Sequence, residues 1–165
     1  MTTPTDHIAI STHVSTHVSA LISGLFLELD KREFAPDWAR SYFTDDTRMV
    51  TPIGIVEGIE AVRQHTEEAI GRFARTQHTA SDVLVRHDAT TGRTTVSWNA
   101  LMTHVHLDST LQARGADANP LFTVGGRYEA ELIDTPDGRR LRHVTVDAIW
   151  TTGEPPVLPV GALRI

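Results

Sequence analysis

Apolar residues follow two rhythms along this chain, and the change of rhythm divides it. Val14, Val18, Leu21, Ile22, Leu25, Phe26 and Leu29 recur at three- and four-residue steps, so they share one face of a long helix. Ser11 or Thr12 has the side chain to cap that helix, and the polar start, Met1 to Asp6, is expected to fray. Pro36 suits a first helical turn and predicts a short helix to Tyr42. Asp45-Asp46 reads as a turn and Thr47–Val50 as a short strand, before a stretch punctuated by Pro52, Gly54 and Gly58. Ile59, Val62, Thr66, Ala69, Ile70 and Phe73 then predict a third helix over Ile59–Arg75.

From there the spacing shortens to that of strands. Thr79–His87, Arg93–Leu107, Phe122–Ile133 and Arg140–Thr151 are the expected strands. They are separated by an Asp88–Gly92 hairpin connection, a polar loop over Asp108–Asn119 and the turn Thr135-Pro136-Asp137-Gly138. Gly125-Gly126 is too short to cradle a phosphate and reads as a bulge or a close backbone approach. Helices followed by a meander of long strands predict a two-layer α+β domain. The sheet, antiparallel or mixed, must curl into a cone around the long N-terminal helix, leaving a mouth at the wide end where a ligand can enter. There is no internal repeat or linker, so residues 1–165 form one domain, with a core over about residues 10–153 and a tail, 154–165, that ends freely or folds as a flap over the pocket.

Composition narrows the function. At 165 residues the chain can bury a core without staples, and with no cysteine it offers neither disulfides nor thiolate chemistry. The net charge of −6 and scattered Lys and Arg argue against nucleic acid as a partner. No run of about 18 apolar residues exists to cross a membrane, and no cationic region precedes the first apolar segment, so a cytoplasmic protein is expected.

Candidate chemistry lies where polar groups interrupt apolar faces. Val18, Ile22, Phe26 and Asp30 step by four, which carries the Asp30 carboxylate along the buried stripe unless the helix end turns it out to water. Val96, Trp98, Ala100, Met102, His104 and His106 alternate onto one strand face, so the two imidazoles either continue the core or leave it at the strand end. His78, after Thr76-Gln77 at the opening of a strand, gains meaning only if a carboxylate orients its ring and raises its basicity. Asp147 interrupts an apolar strand and faces pocket, partner or water, while Tyr42 and Tyr128 could give phenolic donors or simply pack.

The element order, Leu29-Asp30, Thr76-Gln77-His78, Gly125-Gly126-Arg127-Tyr128, Asp137-Gly138 and Trp150 together resemble the SnoaL-like branch of the nuclear transport factor 2-like superfamily, over roughly residues 10 to 153. The mechanistic likeness is to scytalone dehydratase and bile-acid dehydratase. That resemblance implies an Asp–His dyad of Asp30 and His78, with His104 as a second pocket histidine. The chain departs from scytalone dehydratase in having Leu29 where a tyrosine precedes the Asp, and no tyrosine in Met49-Val50-Thr51.

The reading that follows is a cofactor-independent acid–base lyase or isomerase, such as a dehydratase or polyketide-type cyclase, acting on a small hydrophobic oxygenated molecule. Asp30, His78 and His104 are its expected catalytic groups. Tyr42, Trp98, Met102, His106, Tyr128 and Asp147 are the expected substrate contacts. The alternative is a non-catalytic binding or dimerisation module of the same fold. A zinc or iron(II) site on His104-x-His106 is a third reading. A homodimer is expected from apolar residues on both parities of the last strand, Val144, Val146 and Ile149.

Overall fold

A computed structural model describes residues 12–157. The polar start at residues 1–6, a cap from the side chain of Ser11 or Thr12, and the tail beyond residue 157 lie outside what it describes. Helix α1 (Thr12–Lys31) is followed by a 3-10 turn (Trp38–Ser41), the hairpin β1 (Arg48–Thr51) and β2 (Gly54–Glu57), and helix α2 (Ile59–Gly71). Then come β3 (Phe73–His87), β4 (Thr94–His106), helix α3 (Asp108–Arg114), β5 (Leu121–Thr135) and β6 (Gly138–Gly153).

The six strands form one sheet in the order β2-β1-β6-β5-β4-β3. All neighbours are antiparallel except β1 and β6, which run parallel, so the sheet is mixed. The curved open sheet wraps α1. Helix α1 buries Val18, Ile22 and Phe26 in a core shared with Val96, Trp98, Ala100 and Met102 of β4. Both periodicities thus meet in one layer of contact, the helical face against the alternating strand face. Trp38 of the 3-10 turn donates from Nε1 to Glu67 at 2.9 Å, which ties the turn to α2. No helix among the described residues is long and apolar enough to cross a membrane.

Five elements differ from the sequence expectation. The third helix ends at Gly71 instead of Arg75, and β3 begins at Phe73, six residues before the expected start. Pairing of Phe73–Ser81 with Asn99–His106 outweighs the helical spacing that had included Phe73. His78 therefore lies inside a strand rather than at its opening. The Gly54–Glu57 stretch is a strand, paired by a tight hairpin to β1. The polar loop after β4 contains a short helix, α3. The helix expected from Pro36 to Tyr42 is a single 3-10 turn.

The glycine pair behaves as a close approach. β5 and β6 shift register between Gly125 and Gly126, and a Cβ on Gly125 would sit 2.2 Å from the Trp150 ring. Trp150 can lie flat on the strand only because Gly125 has no side chain.

Candidate active site

Strand β3 is an edge of the sheet, so alternate backbone groups along it have no strand partner. The end of α1 supplies the missing partners. Asp30 Oδ2 accepts from the backbone N–H of His78 at 2.8 Å, and the Arg32 guanidinium donates to the Ala74 carbonyl. Period-two alternation then puts the side chains of Thr76 and His78 on one side, towards α1. The Thr76 hydroxyl donates to Asp30 Oδ1 at 2.9 Å, and His78 Nδ1 lies 2.6 Å from the same oxygen. The helix stripe and the strand face thereby deliver the Asp30–His78 dyad as a by-product of sealing a sheet edge.

The dyad is sheltered: the His78 side chain is 3% exposed and that of Asp30 20%. Burial alone would raise the Asp30 pKa. The hydrogen bonds from the His78 ring, the His78 backbone and Thr76 outweigh it and hold the carboxyl below its ordinary range. A carboxylate accepts only, so His78 Nδ1 carries the proton in this pair and its Nε2 is left as the basic nitrogen.

His104 is buried at 7% exposure, edge-on to His78 with ring centroids 5.6 Å apart at 87°. It stacks on Phe73 at 4.4 Å, and its Nδ1 lies 3.0 Å from the Phe122 carbonyl. Burial, then the neighbouring His78 charge, lower its pKa from 6.5 to about 4. Phe26 bridges to the next group: its ring lies 5.2 Å from His78 and 5.6 Å from Tyr128. Tyr128 stacks on Trp98 at 4.8 Å and donates its hydroxyl to Met102 Sδ at 3.4 Å. Burial raises the Tyr128 pKa, so the phenol stays protonated.

Phe26 therefore lies between His78, Trp98 and Tyr128, with Asp30 and His104 reached through His78 and Met102 through the Tyr128 hydroxyl. Of the other three expected contacts, His106 lies 5.6 Å from the Phe73 ring that stacks on His104, and Tyr42 and Asp147 stand apart. His106 is buried, but its Nε2 lies 2.9 Å from the Glu154 carbonyl and 3.1 Å from the Arg114 guanidinium, and its Nδ1 has no partner. Arg114 also pairs with the Glu154 carboxylate at 3.1 Å, so α3 and the start of the tail fasten over this histidine. Tyr42 packs beside Gly24 on another flank of α1 and touches the Trp38 ring, and burial, with the Glu28 charge, raises its pKa. Asp147 is exposed on the outer face, in register with Arg127 and Asn99. Its strand parity is opposite to that of Tyr128 and Val146, so it points away from the dyad.

His104 and His106 commit ring nitrogens to two different carbonyls. Among the described residues no three His, Cys, Asp or Glu side chains are grouped to hold a metal ion. Glu131, a buried acid the sequence reading passed over, is matched on the outer face by Arg93, Arg142 and His143 and is structural.

Sequence reasoning missed Thr76, Phe73 and Phe122. Thr76 was within reach: once His78 is inside a strand, the residue two before it must share its face.

The profile of the SnoaL-like domain matches residues 12–145. Among solved structures, a candidate scytalone dehydratase from Novosphingobium aromaticivorans DSM 12444 is 17% identical and superposes with a TM-score of 0.67, covering 90% of this chain and 94% of its own. A nuclear transport factor 2-like superfamily protein from Salmonella enterica serovar Typhimurium LT2 is 16% identical, at a TM-score of 0.67 and coverage of 90% and 96%. A hexachlorocyclohexane dehydrochlorinase, LinA type 2, is 15% identical, at a TM-score of 0.68 and coverage of 88% and 93%. No functionally curated protein sequence matches the chain.

Proposed function

Because this chain belongs to the SnoaL-like domain family, a fold shared with a dehydratase candidate and a dehydrochlorinase, we propose that it is a cofactor-independent lyase or isomerase working through Asp30 and His78. The observation that carries the reading is the buried contact of 2.6 Å between His78 Nδ1 and Asp30 Oδ1. The substrate is a small hydrophobic oxygenated molecule, held against Phe26, Trp98, Met102 and Tyr128.

In this reading His78 Nε2 removes a proton from a carbon next to a carbonyl. Asp30 stabilises the imidazolium that forms and keeps the ring in the required tautomer. Thr76 fixes the carboxylate so that its second oxygen stays on the His78 backbone. The proton is then returned at another carbon in an isomerisation, or leaves with a departing group in an elimination. General acid–base work of this kind contributes about 10²–10⁴-fold. Leu29 is a buried core residue here, so the site makes no use of a tyrosine before the aspartate.

The test is proton exchange followed by NMR in D₂O over a panel of cyclic ketones and enones. Wild-type protein should accelerate exchange or conversion of at least one compound. His78→Ala should lose that acceleration while its melting transition stays cooperative. A His78→Ala protein as active as wild type would remove the dyad from the mechanism. Ligand-dependent stabilisation with no turnover of any compound would favour the binding-module alternative.

We also propose a homodimer through the outer sheet face, where Leu101, Ile149 and Trp150 are exposed together on β4 and β6. Light scattering that returns the mass of one chain at all concentrations would reject it.

A further inference from the structure

The inner face of the sheet is short of hydrogen-bond acceptors beside the dyad. Tyr128 donates its hydroxyl to Met102 Sδ at 3.4 Å, and a thioether accepts only weakly. Trp98, stacked on the Tyr128 ring at 4.8 Å, buries its Nε1–H with no partner among the described residues. An indole N–H donates only, and a buried donor without an acceptor costs free energy. Two neighbouring donors thus share one poor acceptor. Burial raises the Tyr128 pKa, so the phenol keeps its proton to donate.

The phenol also points the right way and has space beside it. Tyr128 pairs with Trp98 across β4 and β5, whereas Met102, two same-face positions further along β4, pairs with His78 of β3. A hydroxyl that reaches Met102 therefore points along the sheet to the row of the dyad. Val124, Tyr128 and Val146 share the inward parity of Ala130 and Val144, yet each keeps exposed surface while those two are buried. The sheet stands off α1 there and leaves room for a ligand.

We infer that Tyr128 is the electrophilic donor of the site: its hydroxyl turns from Met102 Sδ to a carbonyl oxygen of the ligand, so the site takes a ketone or enone with that oxygen at the phenol and the adjacent carbon at His78 Nε2. This rests on the dyad proposed above for turnover, but its binding half stands without it. When His78 takes the proton, the C–H pair becomes the new C=C bond and the C=O π pair moves onto oxygen. Neither Asp30 nor His78 meets that charge. The phenol does, by a hydrogen bond that strengthens as the charge grows, and its own proton stays on Tyr128. Trp98 holds the phenol ring flat from the side.

The test reads the hydrogen bond itself, through the infrared carbonyl stretch of 2-acetylnaphthalene labelled with ¹³C at the carbonyl. Bound to wild type, the stretch should fall below its value in cyclohexane. Tyr128→Phe should abolish that fall and weaken binding roughly three- to tenfold, the worth of one hydrogen bond, while affinity for 2-ethylnaphthalene changes by about twofold or less. Met102→Leu removes the acceptor that competes for the phenol, so it should tighten ketone binding by about twofold or more, a gain that a packing role for Tyr128 does not produce. A bound ketone with an unshifted stretch, a shift that survives in Tyr128→Phe, or a panel of aryl ketones of which none binds would overturn the role. His78→Ala should keep the shift. Loss of the dyad's turnover with the shift intact, or of the shift with turnover intact, therefore tells the two readings apart.

Discussion

Replacing His104 by phenylalanine should flatten the acid limb of the stability curve. The imidazole is held neutral in the fold, with its pKa brought from 6.5 down to about 4 by burial and by the neighbouring His78. In the unfolded chain the same ring takes up a proton as pH falls through 6.5. Between those values the unfolded state binds a proton that the native state refuses, so stability falls with falling pH. The contribution is nil above neutrality, about 2 kcal/mol of loss at pH 5, and about 3 kcal/mol by pH 4. Asp30 acts in a lower window: its depressed pKa stabilises the fold above the ordinary carboxylate value and is lost only as pH drops further. His65, also lowered, chiefly by burial, contributes in both proteins and cancels in the comparison. Phenylalanine keeps the stack between Phe73 and Phe122 and cannot titrate. Urea unfolding at pH 7, 6, 5 and 4.5 gives the assay, with the slope against pH as the readout rather than absolute stability. Parallel curves for wild type and His104→Phe would show that the ring is not held neutral.

Other consequences follow from single contacts. Asp30→Asn should remove the base-orienting charge and lower any turnover by about 10²-fold or more, and cost roughly 1–3 kcal/mol because three donors converge on that carboxylate; steady-state kinetics and thermal melts check both. Thr76→Val should cost about 1 kcal/mol and lower turnover without changing which compounds bind, separating a positioning role from direct contact. Gly153→Ala should destabilise by about 2 kcal/mol or more, since Gly153 has φ +83° and a Cβ would lie 2.1 Å from the Leu121 carbonyl oxygen; a melting temperature equal to wild type would contradict this. Leu101→Glu together with Trp150→Glu should shift the protein to the mass of a single chain in light scattering, leaving the fold intact by circular dichroism.

Periodicity alone placed α1, α2 and the alternating face of β4, and it placed Asp30 on the buried stripe of α1. Those features are local, because 3.6- and two-residue rhythms are written in neighbouring residues. It failed where long-range pairing decides. Phe73 fits the α2 pattern as well as it fits a strand, and only its partner His106 on β4 selects the strand. β2, with just four residues, carries too few positions to show a rhythm. Alternation put His106 on the buried face correctly, but its partner is set by the α3–tail contact, and the face Asp147 serves depends on the bulge in β6; neither has a strong local signature.

By itself, then, the chain determined a layered α+β domain and a short set of polar residues on apolar faces. That Asp30 and His78, 48 positions apart, share a 2.6 Å contact was decided by tertiary structure. The physical reason is the free edge of β3: its unpaired amide needs an acceptor, and the end of α1 is where the wrapped sheet brings one. Edge position is a property of strand order, which no local pattern encodes.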